Sequence, residues 1–328
     1  MKIPVHLRVA AGAAVLLPAL ACANDGVAAV SAGGIVFQKT DAIAMKKEVL
    51  TVSHDLISVD YEFVNESGAD VEETIAFPLP AYGAAESPYP DYYGQPANFS
   101  VTVNGKPVPF TPALRALRDG KDVTAELRAA GLSSERIGLN ETLAGHPLPP
   151  FTAAQKRVLR ERGLLAEGMD EPDEPQWKVQ VSYVWRQRFP AGEIVRVQHR
   201  YRPFVAGGPA AWVLDQGFTQ RYCADAAFLK GWRRAANGAD HLAAEHVEYI
   251  LKTGNTWKSG IEDFTLNIVK RKPEELVSLC FPGTFRKIDN LTYQVRLRNF
   301  RPADDLRVYF GNVDGGNGDP GVAPQLPR

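Results

Sequence analysis

The chain is poor in the residues and patterns that announce a chemistry. Among 328 residues there are three cysteines, three methionines and six histidines. No C-x-x-C pair occurs, so a catalytic thiol pair lacks its usual spacing. There is no G-x-S-x-G elbow, no H-E-x-x-H and no Gly-rich loop of the kind that cradles phosphate. The 37 Lys+Arg nearly balance the 38 Asp+Glu, and no long basic run breaks that balance. This excludes the electrostatic footprint that phosphate backbones require, so nucleic acid is not expected as a partner. No segment carries the roughly 20 apolar residues of a membrane-crossing helix, and no internal repeat has a fixed period. What is present, 45% hydrophobic and 23% charged residues, is the composition of an ordinary packed protein with room for one or two cores.

The first 23 residues read as a leader. Lys2 and Arg8 precede an apolar run from Val9 to Leu20, and Ala21 and Ala23 flank Cys22 as an A-x-A cleavage signal. Cleavage after Ala23 starts the mature chain at Asn24, leaves 35 Lys+Arg against 38 Asp+Glu, and predicts a periplasmic or secreted protein with no transmembrane segment. In the alternative, Cys22 is a lipid anchor; against it stands Ala19, where lipoprotein signals usually carry Leu. Export leaves Cys223 and Cys280 as an even pair in a compartment that permits disulfides. A bond between them is expected, closing a 57-residue separation that the loop-entropy model values at up to about 4 kcal/mol.

Strand periodicity dominates the mature chain. Ile57, Val59, Tyr61 and Phe63 alternate with Ser58, Asp60 and Glu62, and after Asn65-Glu66-Ser67-Gly68 the segment Val71–Phe77 reads as the returning arm of a hairpin. Phe99, Val101 and Val103 run into Asn104-Gly105, the dipeptide of a type I′ turn, which predicts a second hairpin. Trp177, Val179, Val181, Tyr183 and Trp185 share one face, and Val195, Val197, His199 and Tyr201 another; these two strands are expected to complete the first sheet. Ahead of both, after Thr111, Asp122 and the capping box Thr152/Gln155 begin short helices, Gly163 ends one, and an acidic Pro-rich segment, 170–175, follows. Cys223 leads into a helix capped by Asp225 and stopped at Asn237-Gly238, and strands resume from Val247.

The fold class expected is therefore mainly β, an antiparallel β-sandwich with a helical insertion and a second β-rich part. The corresponding domains are 24–110 with 176–206, an insertion at 111–175, a β-rich part with one helix at 207–313, and a disordered tail at 314–328.

Four stretches together carry a resemblance: Asn24-Asp25-Gly26-Val27-Ala28-Ala29 with Gly33-Gly34-Ile35, Tyr61-Glu62-Phe63-Val64-Asn65 with Phe77-Pro78-Leu79-Pro80, Tyr222-Cys223-Ala224-Asp225, and Asn299-Phe300-Arg301-Pro302 with Asp304-Asp305-Leu306. The chain resembles a family of secreted bacterial proteins known as domain of unknown function 4424, over nearly the whole mature length. The resemblance implies an exported bacterial protein and no particular activity. Tyr61 to Pro80 is also similar to the opening of the vault and inter-alpha-trypsin domain, a β-rich interaction module, although the Asp-x-Ser-x-Ser metal site of the domain that usually accompanies it does not occur.

No catalytic, cofactor-binding or metal-ligating set emerges. His241 and His246 are five apart, which on a helix separates them from the shared face that zinc ligands need. His199, on the inner side of its strand, reads as a hydrogen-bonded structural histidine rather than a general base. The acidic cluster 170–174 reads as a hydrated loop, and Gly315-Gly316-Asn317-Gly318-Asp319 misses the spacing of a calcium repeat. The best recognition candidate is the Tyr/Pro/Gly-rich loop holding Tyr82, Tyr89, Tyr92 and Tyr93, since exposed aromatics stack on sugars or anchor proteins. The expectation is a non-enzymatic binding or interaction module of the cell envelope, with an envelope protein or glycan as partner and no cofactor. The alternative is a hydrolase of envelope or extracellular polysaccharide with carboxylates brought together by folding.

Overall fold

In a computed structural model of the chain, residues 25–31, 34–85, 97–167, 172–209, 216–315 and 326 are described. The leader, with Cys22, lies outside them. The architecture is mainly β, as the alternation predicts, and is built from three larger antiparallel-type sheets. The largest has eight strands in the order Arg286–Lys287, Thr292–Phe300, Ile261–Val269, Ile43–Val52, Ile57–Asn65, Ile194–Arg202, Ala97–Val103, Lys106–Pro107. Its one parallel pairing is between Ile43–Val52 and Ile261–Val269, with Leu50 opposite Leu266. A second sheet runs Lys121–Asp122, Thr111–Arg118, Lys178–Phe189, Val71–Pro78, Gly26–Ser31, Gly34–Phe37, with Tyr82–Gly83 added to the long Lys178–Phe189 strand. A small sheet contains Ala206–Pro209, Ala243–Tyr249, Leu306–Gly311 and Leu276–Ser278.

The inner faces of all three sheets share one hydrophobic core. Leu50, Val59, Phe63, Val197 and Leu266 enter it from the large sheet, Ile75, Phe77, Val181 and Tyr183 from the second, and Val247, Val308 and Phe310 from the small one. Alternation along each strand sends the intervening polar residues outward, which is why the outer face of the large sheet is laced with pairs such as Arg196–Glu62 and Arg296–Asp263. The second sheet is buried on both faces near its centre. Ala28, Ala76 and Val184 form a small outer cluster under Phe37 and Ala113. Gly26 is required there, because a Cβ at this position would stand 2.8 Å from the Phe37 ring.

Several local expectations hold. Asn104 and Gly105 both take positive φ, 49° and 78°, between strands Ala97–Val103 and Lys106–Pro107. Thr152 and Gln155 make the reciprocal capping box on Ala153–Glu161, and Asp225 caps Ala226–Ala236, which ends at Asn237 in the left-handed conformation. Asp122 stands one residue before the Val123 cap, its Oδ1 accepting from the Thr124 amide and hydroxyl. Cys223 and Cys280 are bonded, 57 residues apart. The bond ties the loop between the helices Gln216–Tyr222 and Ala226–Ala236 to the chain just beyond the small-sheet strand Leu276–Ser278. These helices cover the outer face of that sheet through Phe218, Tyr222, Trp232, Ala244 and Tyr309.

Longer-range expectations are corrected. Ile57–Asn65 and Val71–Pro78 are not a hairpin: the first belongs to the large sheet and the second to the other. Nor do Lys178–Phe189 and Ile194–Arg202 complete one sheet: the first joins the second sheet and the other the large one. Both connections turn the same corner, which Asn65 fixes by donating from Nδ2 to the carbonyls of Ala69 and Phe189, each at 2.8 Å. The proposed insertion also starts too early at 111, since Thr111–Arg118 pairs along Lys178–Phe189. Nor does a boundary at 207 follow the sheets, because Ile261–Val269 and Thr292–Phe300 complete the large sheet. In the tail, Leu326 packs against the main core, while 316–325 lies outside the described residues.

Candidate functional site

A cleft of about 730 Å³ opens where one end of the second sheet meets the small sheet. One wall comes from Pro80–Ala85, the turn Arg118-Asp119-Gly120 and the start of the long strand at Trp177, Lys178 and Gln180. Asp119 and Gly120 both have positive φ, 48° and 77°, which lets the tight turn project between Thr111–Arg118 and Lys121–Asp122. The other wall is Glu248-Tyr249-Ile250 with Asp305 and Arg307.

Most of the lining is held firmly. Trp177 is buried and donates from Nε1 to the Ile137 carbonyl at 3.0 Å. Gln180 donates to the Leu79 carbonyl and accepts from Arg115, each at 3.2 Å. Arg307 donates to Glu248 at 3.1 Å across neighbouring strands. Asp305 is a structural cap: Oδ1 accepts from the amides of Leu251 and Lys252, and burial pushes its carboxyl above the ordinary range against those bonds. Lys178 is exposed. The cleft thus sets Lys178, Arg307 and Glu248 among apolar side chains and backbone, and its volume is that of a small-molecule site.

Behind the cleft the core is polar. Tyr249 bonds Tyr61 hydroxyl to hydroxyl at 3.0 Å. Burial, with Glu48 and Asp25 nearby, raises both phenols well above their ordinary value. Farther in, His199 Nε2 meets Asp25 Oδ2 at 3.0 Å with both residues buried, and Trp257 Nε1 donates to the Asp25 carbonyl at 2.6 Å. Burial raises the Asp25 carboxyl although His199 pulls it down. His199 is therefore the hydrogen-bonded core histidine expected from its strand, its ring stacked on Phe77 at 4.9 Å.

Of the recognition candidates, Tyr82 is corrected: it is buried, and its hydroxyl donates to the Gly138 carbonyl, so it braces the floor instead of meeting a partner. Tyr89, Tyr92 and Tyr93 lie outside the described residues. His241 and His246 are not on a helix. His246 sits on strand Ala243–Tyr249 with Nδ1 at 2.9 Å from the Tyr222 hydroxyl, and His241 meets Asp240. His54, which no motif in the sequence marks, lies between Glu245 and Glu275. A signal existed in the alternation Glu245, Val247, Tyr249, which places an acid on a buried face.

Fold and site together define a multi-sheet β protein with a cleft between sheets. The chain belongs to the family described as a domain of unknown function, DUF4424, whose model matches residues 23–309. A comparison with proteins of curated function finds no match. Among solved structures, the chain is similar to a Legionella pneumophila protein provisionally described as nutrient-binding, with 16% identity, 88% of this chain and 70% of that one covered, and a TM-score of 0.42. It is also similar to an M1 zinc metallopeptidase of Deinococcus radiodurans, with 12% identity, 84% and 44% coverage and a TM-score of 0.24. For yeast LTA4 hydrolase the values are 9%, 83% and 29%, and 0.26. The chain spans less than half of these last two proteins, and similarities at these scores bear on neither chemistry nor ligand.

Proposed function

We propose that the protein is an exported, non-enzymatic binding module of the cell envelope that holds a polar ligand, a glycan or a segment of an envelope protein, in the cleft between its second and small sheets. The observation that carries this reading is the cleft itself: about 730 Å³, lined by Lys178, Arg307, Glu248 and Gln180 over the buried Trp177. The export half of the reading is supported by the leader-like first 23 residues and by the Cys223–Cys280 bond, which persists in oxidising compartments. No helix among the described residues is long and apolar enough to cross a membrane.

The test is a glycan array and a pull-down from envelope extract, comparing wild type with Lys178→Ala and with Tyr89, Tyr92 and Tyr93 all changed to Ala. Loss of a specific ligand at least tenfold in either variant, with an unchanged melting temperature, is expected and locates the site. Turnover of an envelope polysaccharide by the purified protein, abolished by Glu174→Gln or Glu248→Gln, would replace this reading with a hydrolase.

A further inference from the structure

His54 sits in the turn between two large-sheet strands, Ile43–Val52 and Ile57–Asn65, and is buried where the small sheet docks. Nδ1 meets Glu245 Oε2, on strand Ala243–Tyr249, and Nε2 meets Glu275 Oε2 at 3.2 Å, just before strand Leu276–Ser278. Phe310 of the third small-sheet strand packs on the ring at 4.0 Å. One imidazole therefore touches three segments of the small sheet, 191 and 221 residues away at its two carboxylates.

The surrounding charges are specific. Arg271 donates from Nη1 to Glu245 at 3.0 Å and from Nη2 and Nε to Asp55 at 2.7 and 3.1 Å, while its backbone amide donates to Glu275 Oε2 at 3.0 Å. Lys270 turns its ammonium to the carbonyls of Pro273 and Glu275, and Arg202 acts on Asp55 from the large sheet. A neutral imidazole has one N–H and one lone pair. Facing two carboxylate oxygens, it can satisfy one and must oppose the other, whereas the imidazolium donates to both.

We propose that His54 is a proton-dependent pin fastening the small sheet to the large one, closed while the ring is charged and weakened when it loses its proton. The two carboxylates outweigh the burial that opposes the charge and hold the folded-state pKa of His54 above 6.5. A raised pKa stabilises the fold fully below the unfolded value of about 6.5, and that contribution is lost as pH rises through the folded value. Strand Ala243–Tyr249 also carries Glu248 and Tyr249 of the cleft wall, yet the pin stands without any ligand there.

The test is made on the whole protein in two parts. In ¹⁵N-histidine-labelled wild type, the His54 ring, assigned by its loss in His54→Gln, is expected to carry protons on both nitrogens at pH 6.5 and to titrate above it. In denaturant unfolding, the unfolding constant of wild type relative to His54→Gln is expected to rise by up to about tenfold per pH unit from 6.5 until the folded value is passed. A His54 ring with a single proton at pH 6, or parallel pH profiles for the two proteins, would overturn the proposal. Should His54→Gln not fold, the wild-type ring titration, assigned by the loss of the other histidine signals in single variants, decides alone.

Discussion

Asn65 ends the strand Ile57–Asn65, and its side chain fixes the corner that follows. It is buried, its amide ties the carbonyls of Ala69 and Phe189, and its Oδ1 accepts from the amide and hydroxyl of Ser67. Asn65→Ala strips four bonds at the corner where both chain crossings meet; it takes this donor from the Phe189 carbonyl, while the Ala69 carbonyl keeps the Ser67 hydroxyl at 2.9 Å. At about 1 to 3 kcal/mol for a buried group left without a partner, a loss of about that size is expected in urea unfolding, and Asn65→Asp, which keeps only the acceptor, should recover less than half of it. Tyr82→Phe makes the opposite point about recognition. Removing the bond to Gly138 should cost about 1 kcal/mol of stability and leave ligand affinity unchanged, because this hydroxyl points into the protein.

Local elements were the most legible part of the sequence, since their signals lie within four residues of what they specify. The Asn104-Gly105 turn, the Thr152/Gln155 box and the Asp225 cap needed nothing from the rest of the molecule. Alternation marks Ile57–Asn65 and Lys178–Phe189 as half-buried strands, yet a strand reads the same whichever sheet receives it, and adjacency in the chain does not give its partner. The Cys223–Cys280 pairing was legible by elimination, and the structure shows what the bond fastens: the two helices over the small sheet, whose own cluster of Phe218, Tyr222 and Trp232 is separate from the main core. Reduction removes a constraint on a 57-residue loop worth up to about 4 kcal/mol. A fall in melting temperature of several degrees or more is expected with dithiothreitol or in Cys223→Ser/Cys280→Ser. If the two helices alone are released, hydrogen exchange will quicken in 216–236 before it does in Ile43–Val52; an unchanged melting temperature would show that packing of the helices holds them without the bond.

At the scale of the whole molecule, chain order hides the arrangement of the largest sheet. Ile43–Val52 lies in its middle, flanked by Ile57–Asn65 on one side and by Ile261–Val269, more than 200 residues later, on the other. No periodicity could signal that parallel neighbour, and a division at 207 cuts it away. The consequence is testable with a fragment ending at 209. Without Ile261–Val269 and Thr292–Phe300, the strand Ile43–Val52 becomes an open edge with a row of unpaired backbone groups, and the core loses Phe264, Leu266 and Ile268, each fully buried. The fragment also loses Glu245 and Glu275, leaving the buried His54 with neither carboxylate. Such losses exceed the 5 to 15 kcal/mol that typically separates a folded domain from its unfolded chain, so the fragment should show no cooperative transition in urea or on heating. Leu266→Ala in the whole protein should lower the single global transition by about 3 to 5 kcal/mol, whether it is followed by tryptophan fluorescence or by far-ultraviolet circular dichroism. A fragment that unfolds cooperatively, or a Leu266→Ala transition split in two, would restore the boundary at 207. One coincident transition means that the cleft, the disulfide-tied helices and the His54 pin are parts of a single cooperative fold.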